Sequence, residues 1–203
     1  PHPRGLASLH GLRYDPTLMR GALFALITAF FGMSLLFSCK GKPHDPAHVT
    51  AIDSMLIQVD SLESLVNAIE VPVYLQMDST FRTQKDRLEN VMKDTLDRAQ
   101  AMAVGNYFRA MTGSLGRVGN MYDETLRDLA DTRKQLLNLK HDISGGLLPE
   151  GPEATYVQQE QLFLSNLARK TSVLLNSAGT AKRNWEEHHQ LVDSLLAAPA
   201  PTP

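Results

Sequence analysis

Apolar residues recur at alternating intervals of three and four positions along most of the chain after residue 45, a spacing typical of amphipathic helices. The first stretch, helix A, is predicted to begin at Asp45 and Pro46, because aspartate is a good N-cap and proline fits the first helical turn. Pro72 cannot continue the hydrogen-bond ladder, and we expect it to end the helix. The apolar stripe of helix A consists of Ile52, Met55, Val59, Leu62, Val66 and Ile69.

Helix B is predicted over about residues 73–111, with charged side chains at the positions that face solvent. Gly113, Gly116 and Gly119 then follow at three-residue intervals, and each glycine inside a helix costs about 1 kcal/mol relative to alanine. We therefore predict a turn at these glycines, with Asn120 as the N-cap of the next helix. Close packing of helices on a glycine face is the alternative. The inward positions of helix B are Tyr74, Met77, Phe81, Leu88, Met92, Leu96, Ala99, Ala103 and Tyr107.

Helix C is predicted over about residues 121–144 with Gly145 and Gly146 as its C-cap, and helix D begins near Glu153. Short joints between A and B and between B and C imply antiparallel neighbours. The sequence therefore predicts an all-α fold, an antiparallel up-down-up-down four-helix bundle with coiled-coil-like packing over residues 46–196. Because B and D are longer than A and C, their ends are expected to protrude or bend, with frayed helix ends as the alternative. Residues 197–203 are rich in proline and alanine and are expected to be disordered.

Helix A also allows a second architecture. β-branched residues occupy one position of its apolar stripe, at Ile52, Val59 and Val66, and other apolar residues occupy the second position. This pattern suits two-stranded coiled coils. A homodimer through helix A is therefore the alternative to burial of the stripe within one chain.

The segment before the helices has a different composition. Arg20 precedes an unbroken apolar run over residues 21–37, and the run leads into Leu36-Phe37-Ser38-Cys39, which contains the only cysteine of the chain. This arrangement resembles the signal of bacterial lipoproteins, which combines a cationic start, an apolar stretch and small residues at the cleavage site. Phe37 is bulkier than is usual at its position. The resemblance implies cleavage before Cys39 and attachment of lipid, including palmitate, to that residue.

The same resemblance divides the first part of the chain and implies a location. Residues 19–38 form the signal peptide, residues 39–45 a lipid-anchored tether, and residues 1–18 a non-native or upstream extension. Lys40 is not an inner-membrane retention signal, which implies the outer membrane, facing the periplasm. The alternative is an uncleaved helix, since residues 21–39 are about long enough to cross a bilayer. The protein is then a signal-anchored coiled-coil subunit of an envelope complex in the inner membrane.

The charge distribution argues against nucleic acid as a partner. Residues 1–39 hold three arginines and one aspartate, which leaves 17 basic and 21 acidic residues in the rest of the chain. Charges of both signs are interspersed, whereas a phosphate-binding surface needs a concentrated basic face. With a single cysteine, an internal disulfide is excluded, and stability must come from helix packing.

Catalytic motifs are absent from the sequence, which lacks G-x-S-x-G, H-E-x-x-H and a glycine-rich phosphate loop after a strand. We therefore predict that the chain is not an enzyme and uses no cofactor. The predicted function is that of a membrane-tethered cell-envelope lipoprotein, whose helical bundle has a structural or protein-interaction role. Its partners are the membrane, through the lipidated cysteine, and a protein of the envelope.

One group of side chains could hold a metal ion, and a metal-binding bundle is the alternative function. In an up-down-up-down bundle the start of helix A and the end of helix D share one end, and imidazole with carboxylate suits zinc, copper or iron. For His188 the alternative is a neutral core histidine. On the protruding end of helix D, Trp185 is the residue we assign to partner contact. The candidate metal ligands are His44, His48, Glu186, His188 and His189.

Overall fold

The computed structural model describes residues 45–93, 96–148 and 151–198, and every regular element in them is helical. The predicted all-α class is confirmed. The signal motif, Cys39, the tether up to His44, and residues 199–203 lie outside the described residues, as does Arg20. The elements are α1 (Pro46–Asn67), α2 (Val71–Val91), α3 (Arg98–Arg109), a π-helical segment (Ala110–Leu115), α4 (Gly116–Ser144) and α5 (Glu153–Ala197).

α1 begins where the sequence predicts. The Asp45 side chain accepts a hydrogen bond from the backbone N–H of Ala47 at 2.9 Å, and Pro46 occupies the first turn. The predicted apolar stripe is buried, with Ile52 and Val59 fully inaccessible to solvent. This stripe is therefore packed within one chain, with Leu62 only partly buried, and a homodimer through helix A stays a prediction.

The joint after α1 does not reverse the chain. Pro72 lies in the first turn of α2 instead of ending helix A, as proline can because its missing N–H is not needed there. α1 and α2 follow one another along α5, and both run parallel to it, since the residue numbers of paired side chains rise together. These pairs are His48–Glu153 at 3.2 Å, Glu70–Lys182 at 3.3 Å and Gln84–Asp193 at 2.6 Å.

The glycines do not form a turn either. The chain continues as helix from Arg98 to Ser144, passing through the π-helical segment, and this stretch runs antiparallel to α1 and α5. Its direction is given by the ion pairs Lys140–Asp53 at 2.6 Å, Arg133–Asp60, and Lys170–Asp128 at 2.7 Å. The up-down-up-down order is therefore not found. Three lengths of helix lie side by side: α1 followed by α2, α3 to α4, and α5.

Helix B was expected to run without a break over residues 73–111, with the reversal of the chain after it. The chain instead reverses inside that range, between α2 and α3. A capping box starts α3: the Asp97 side chain accepts from the backbone N–H of Gln100 at 2.8 Å, and the Gln100 side chain accepts from the backbone N–H of Asp97 at 3.3 Å. Met92, expected to face inward, is 43% exposed beside this break. The D-x-x-Q spacing is the feature of the sequence that identifies this helix start.

The far end of α5 does not protrude. Val192 is fully buried and Leu196 nearly so, because α2 covers this part of α5. The Arg87 side chain also donates a hydrogen bond to the carbonyl of Leu196. The predicted overhang is wrong for a simple reason: α2 continues where α1 ends, so that α5 has neighbours along its whole length. None of the described helices is both long enough and apolar enough to cross a membrane.

Candidate functional site

A groove of about 600 Å³ lies between α2 and the beginning of α4. It forms because α4 packs mainly on α1 and α5 and meets α2 much less. On the α2 side, the Leu75 side chain is 63% exposed. The apolar part of the groove is lined by Val71, Tyr74, Leu75, Leu115, Val118 and Tyr122.

Gly116 and Gly119 keep the α4 side of this groove open. A Cβ atom built on either residue would meet no atom within 4 Å, so neither glycine is required by a neighbouring helix. The alternative prediction of a tightly packed glycine face is therefore also wrong. The two residues, three positions apart, instead give one side of α4 a flat surface that an incoming backbone or side chain can approach.

The rim of the groove carries both apolar and acidic groups. Asp78 is held by Arg82 at 2.7 Å, whereas Asp123 is exposed and forms no ion pair within the described part of the chain. Burial raises the pKa of the Tyr74 phenol; Lys182 acts to lower that pKa and Glu70 to raise it. The groove can therefore hold apolar side chains on its floor and a cationic group at Asp123.

The members of the predicted metal cluster that the structure describes, His48, Glu186, His188 and His189, do not come together; His44 lies outside the described residues. His48 lies at the start of α1, 3.2 Å from Glu153 at the start of α5, while Glu186 lies 33 residues further along α5, a separation of about 50 Å. The prediction assumed that the first and last helices are antiparallel, but they are parallel. Within residues 45–93, 96–148 and 151–198, no three metal-ligating side chains converge.

The two histidines near the end of α5 have separate surroundings. His188 is one-fifth exposed, and its Nε2 lies 3.7 Å from the Glu187 carboxylate, so it sits at the edge of the core instead of inside it. The His189 ring stacks on Trp185 with a centroid separation of 5.0 Å, and its Nδ1 is 2.7 Å from the Trp185 carbonyl oxygen. His188 and His189 therefore contact different side chains, Glu187 and Trp185 respectively.

Trp185 belongs to an aromatic cluster within the bundle and not to a protruding end. Its ring lies 6.0 Å from Tyr107, which in turn contacts Phe81 edge to face at 6.1 Å. Tyr107 is fully buried and its hydroxyl donates a hydrogen bond to Gln84 at 3.4 Å. Burial raises the pKa of the Tyr107 phenol far above its ordinary value. The predicted contact residue is thus largely committed to packing, and the groove is the open surface that the sequence did not indicate.

Comparison of the chain with family models, with curated proteins and with solved structures gave no match.

Proposed function

We propose that this protein is a cell-envelope lipoprotein, tethered by lipid on Cys39, whose helical bundle acts by contact and not by catalysis. The observation that carries the proposal is the sequence Leu36-Phe37-Ser38-Cys39 at the end of an apolar run that follows Arg20. The proposed location is the outer membrane, facing the periplasm. Signal peptidase cleavage then leaves Cys39 as the first residue of the mature chain.

Replacement of Cys39 by serine tests this proposal. The unaltered protein is expected to take up labelled palmitate and to have the intact mass of an acylated chain that begins at Cys39, because only a cysteine can be lipidated and cleaved in this way. Cys39→Ser is expected to lose the label completely and to keep residues 21–37. Ser38→Ala, which keeps a small residue before the cysteine, is the control and is expected to retain both label and cleavage.

The alternative, an uncleaved signal anchor, predicts a different mass for the mature protein. An unaltered protein that carries no palmitate and keeps residues 21–37 would show that the apolar run itself is the anchor. In that case the lipoprotein proposal is wrong, although attachment to the membrane remains.

We assign the protein contact to the groove between α2 and α4, and propose that it receives an amphipathic helix of an envelope partner. A groove between two helices, with an apolar floor and a flat glycine side, has the shape for helix-in-groove recognition. The exposed carboxylate of Asp123 favours a partner helix with a lysine or arginine beside its apolar stripe.

This contact can be tested by photo-crosslinking from residue 120, at the rim of the groove, in the native envelope. Leu75→Asp is expected to lower the yield of the adduct about tenfold or more, because a buried leucine contributes about 2 kcal/mol to such a contact. Ile57→Asp is the matched control, since Ile57 is 66% exposed on α1, outside the groove, and its change is expected to leave the yield unaltered. Equal yields from both variants would contradict the assignment.

A further inference from the structure

The turn between α4 and α5 presents a leucine to solvent in a fixed position. Gly146, with φ of 62°, allows the backbone to leave the helix. The N–H of Leu147 then donates to the carbonyl of Asp142 at 2.9 Å, and that of Gly146 donates to Ile143 at 3.0 Å. In such turns the residue at the Leu147 position usually packs back on the helix, yet Leu147 is 63% exposed.

Two further side chains lie close along the chain, Leu148 next to this leucine and Tyr156 in the first turn of α5, and we call Leu147, Leu148 and Tyr156 the basal surface. Leu148 and Tyr156 line a common depression of about 310 Å³, and Tyr156 is 38% exposed. Acidic residues lie nearby, including Asp142, Glu153 and Glu160, while the basic Lys140 is paired with Asp53, so the basal surface combines apolar side chains with acidic ones. A surface of this kind suits an apolar or neutral partner better than an anionic one.

The basal surface lies at the end of the bundle where α1 begins. His48 in the first turn of α1 contacts Glu153 in the first turn of α5, and Asp53 pairs with Lys140 near the end of α4. The chain between Cys39 and Pro46 can span at most about 25 Å when fully extended. α5 alone is about 68 Å long, so a lipid on Cys39 keeps this end, and not the opposite one, near the membrane.

We infer that the basal surface rests on the leaflet that holds the lipid of Cys39, with Leu147 inserted among the acyl chains and Tyr156 at the polar interface. The inference depends on the proposed lipidation. Insertion removes the exposed leucine from water, and a tyrosine ring with a polar tip is suited to the boundary between lipid and water. Since the contact is apolar, it is expected to occur on neutral lipid and to be insensitive to salt.

The single tryptophan of the chain allows a direct measurement. In the Trp185→Phe background, Leu147→Trp and Leu162→Trp each provide one fluorophore, at sites that are 63% and 60% exposed. The acylated proteins are inserted into phosphatidylcholine vesicles with bromine on the acyl chains. Emission of the Leu147→Trp variant is expected to shift to the blue and to be quenched severalfold more than that of Leu162→Trp, which lies further along α5, on its outer side.

The outcomes separate this inference from the proposed function, because palmitate incorporation is measured on the same samples. Equal quenching of the two variants in an acylated protein would overturn the basal contact and leave the lipoprotein proposal standing. Absence of palmitate would overturn both. A circular dichroism spectrum and thermal midpoint close to those of the unaltered chain establish that each variant is folded.

Discussion

Replacing Leu136 by alanine is expected to lower the free energy of unfolding by about 3 kcal/mol, within the range found for truncation of fully buried leucines. Leu136 has no exposed surface and lies in α4, which packs against both α1 and α5. Loss of the side chain therefore leaves a cavity that rigid neighbouring helices cannot readily fill. The measurement is urea denaturation of the purified protein, followed by helical circular dichroism.

The next residue along the chain supplies the matched control. Leu137 is 50% exposed, and Leu137→Ala is expected to change the free energy of unfolding by less than about 1 kcal/mol. Both variants remove the same atoms from the same helix, so helix propensity cancels in the comparison. A larger loss from Leu137→Ala than from Leu136→Ala would show that α4 is rotated by about 100° from the orientation described, and would contradict the packing of all three lengths of helix.

The second large effect is a loss of stability in alkali that depends on Tyr107. Its phenol is buried, which raises its pKa in the folded protein above the ordinary value of 10.0. Below about pH 10 the folded and unfolded chains bind this proton equally. Above it the unfolded chain releases the proton and the folded chain keeps it, so the free energy of unfolding falls as pH rises, by about 1.4 kcal/mol per pH unit from this group.

Tyr107→Phe is expected to remove this contribution. Its free energy of unfolding should therefore fall less steeply above pH 10 than that of the unaltered chain, although loss of the hydroxyl that donates to Gln84 makes it somewhat less stable at neutral pH. Tyr156→Phe, which makes the same substitution at a partly exposed site on α5, is the control for the exchange itself. Identical slopes for Tyr107→Phe and the unaltered chain would show that Tyr107 titrates normally.

The sequence was sufficient to predict the helical class, the start of α1 and the buried stripe of that helix. In each case the deciding interaction is local: Asp45 caps its own helix, and the spacing of Ile52 and Val59 determines which face is apolar. The C-cap at Gly145 and Gly146 was predicted for the same reason. These features depend on a few neighbouring residues and on the period of the helix.

The order of the helices was not predictable in the same way. Gly113 and Gly116 are costly in an isolated helix, but the π-helical segment between α3 and α4 packs against α5, and this tertiary packing keeps the chain helical. The buried small residues Ser177, Ala178 and Ala181 of α5 allow close approach along this region. Local propensity predicted a turn because it contains no information about what a segment packs against.

The error in helix order also produced the error in the candidate site. His48 and His189 were expected to meet because the first and last helices were taken to be antiparallel, and the direction of a whole helix decides which ends come together. The groove could not be predicted for a related reason. It begins at the joint between α1 and α2, where the chain was expected to reverse. Gly116 and Gly119 are three residues apart, which places both on one face once the chain is known to be helical there. This spacing is the sequence feature that corresponds to the open side of the groove.

The parallel course of α1, α2 and α5 determines how far the groove stands from the basal surface. Lys182, which pairs with Glu70 just before α2, is 29 residues along α5 from Glu153, a height of about 44 Å. If the basal surface rests on the leaflet as we propose, the bundle holds the groove at about this height above the membrane. In that arrangement a partner anchored in the same leaflet would have to extend an equal distance to reach the groove, whereas a partner from the opposite side of the proposed periplasmic space would reach it directly.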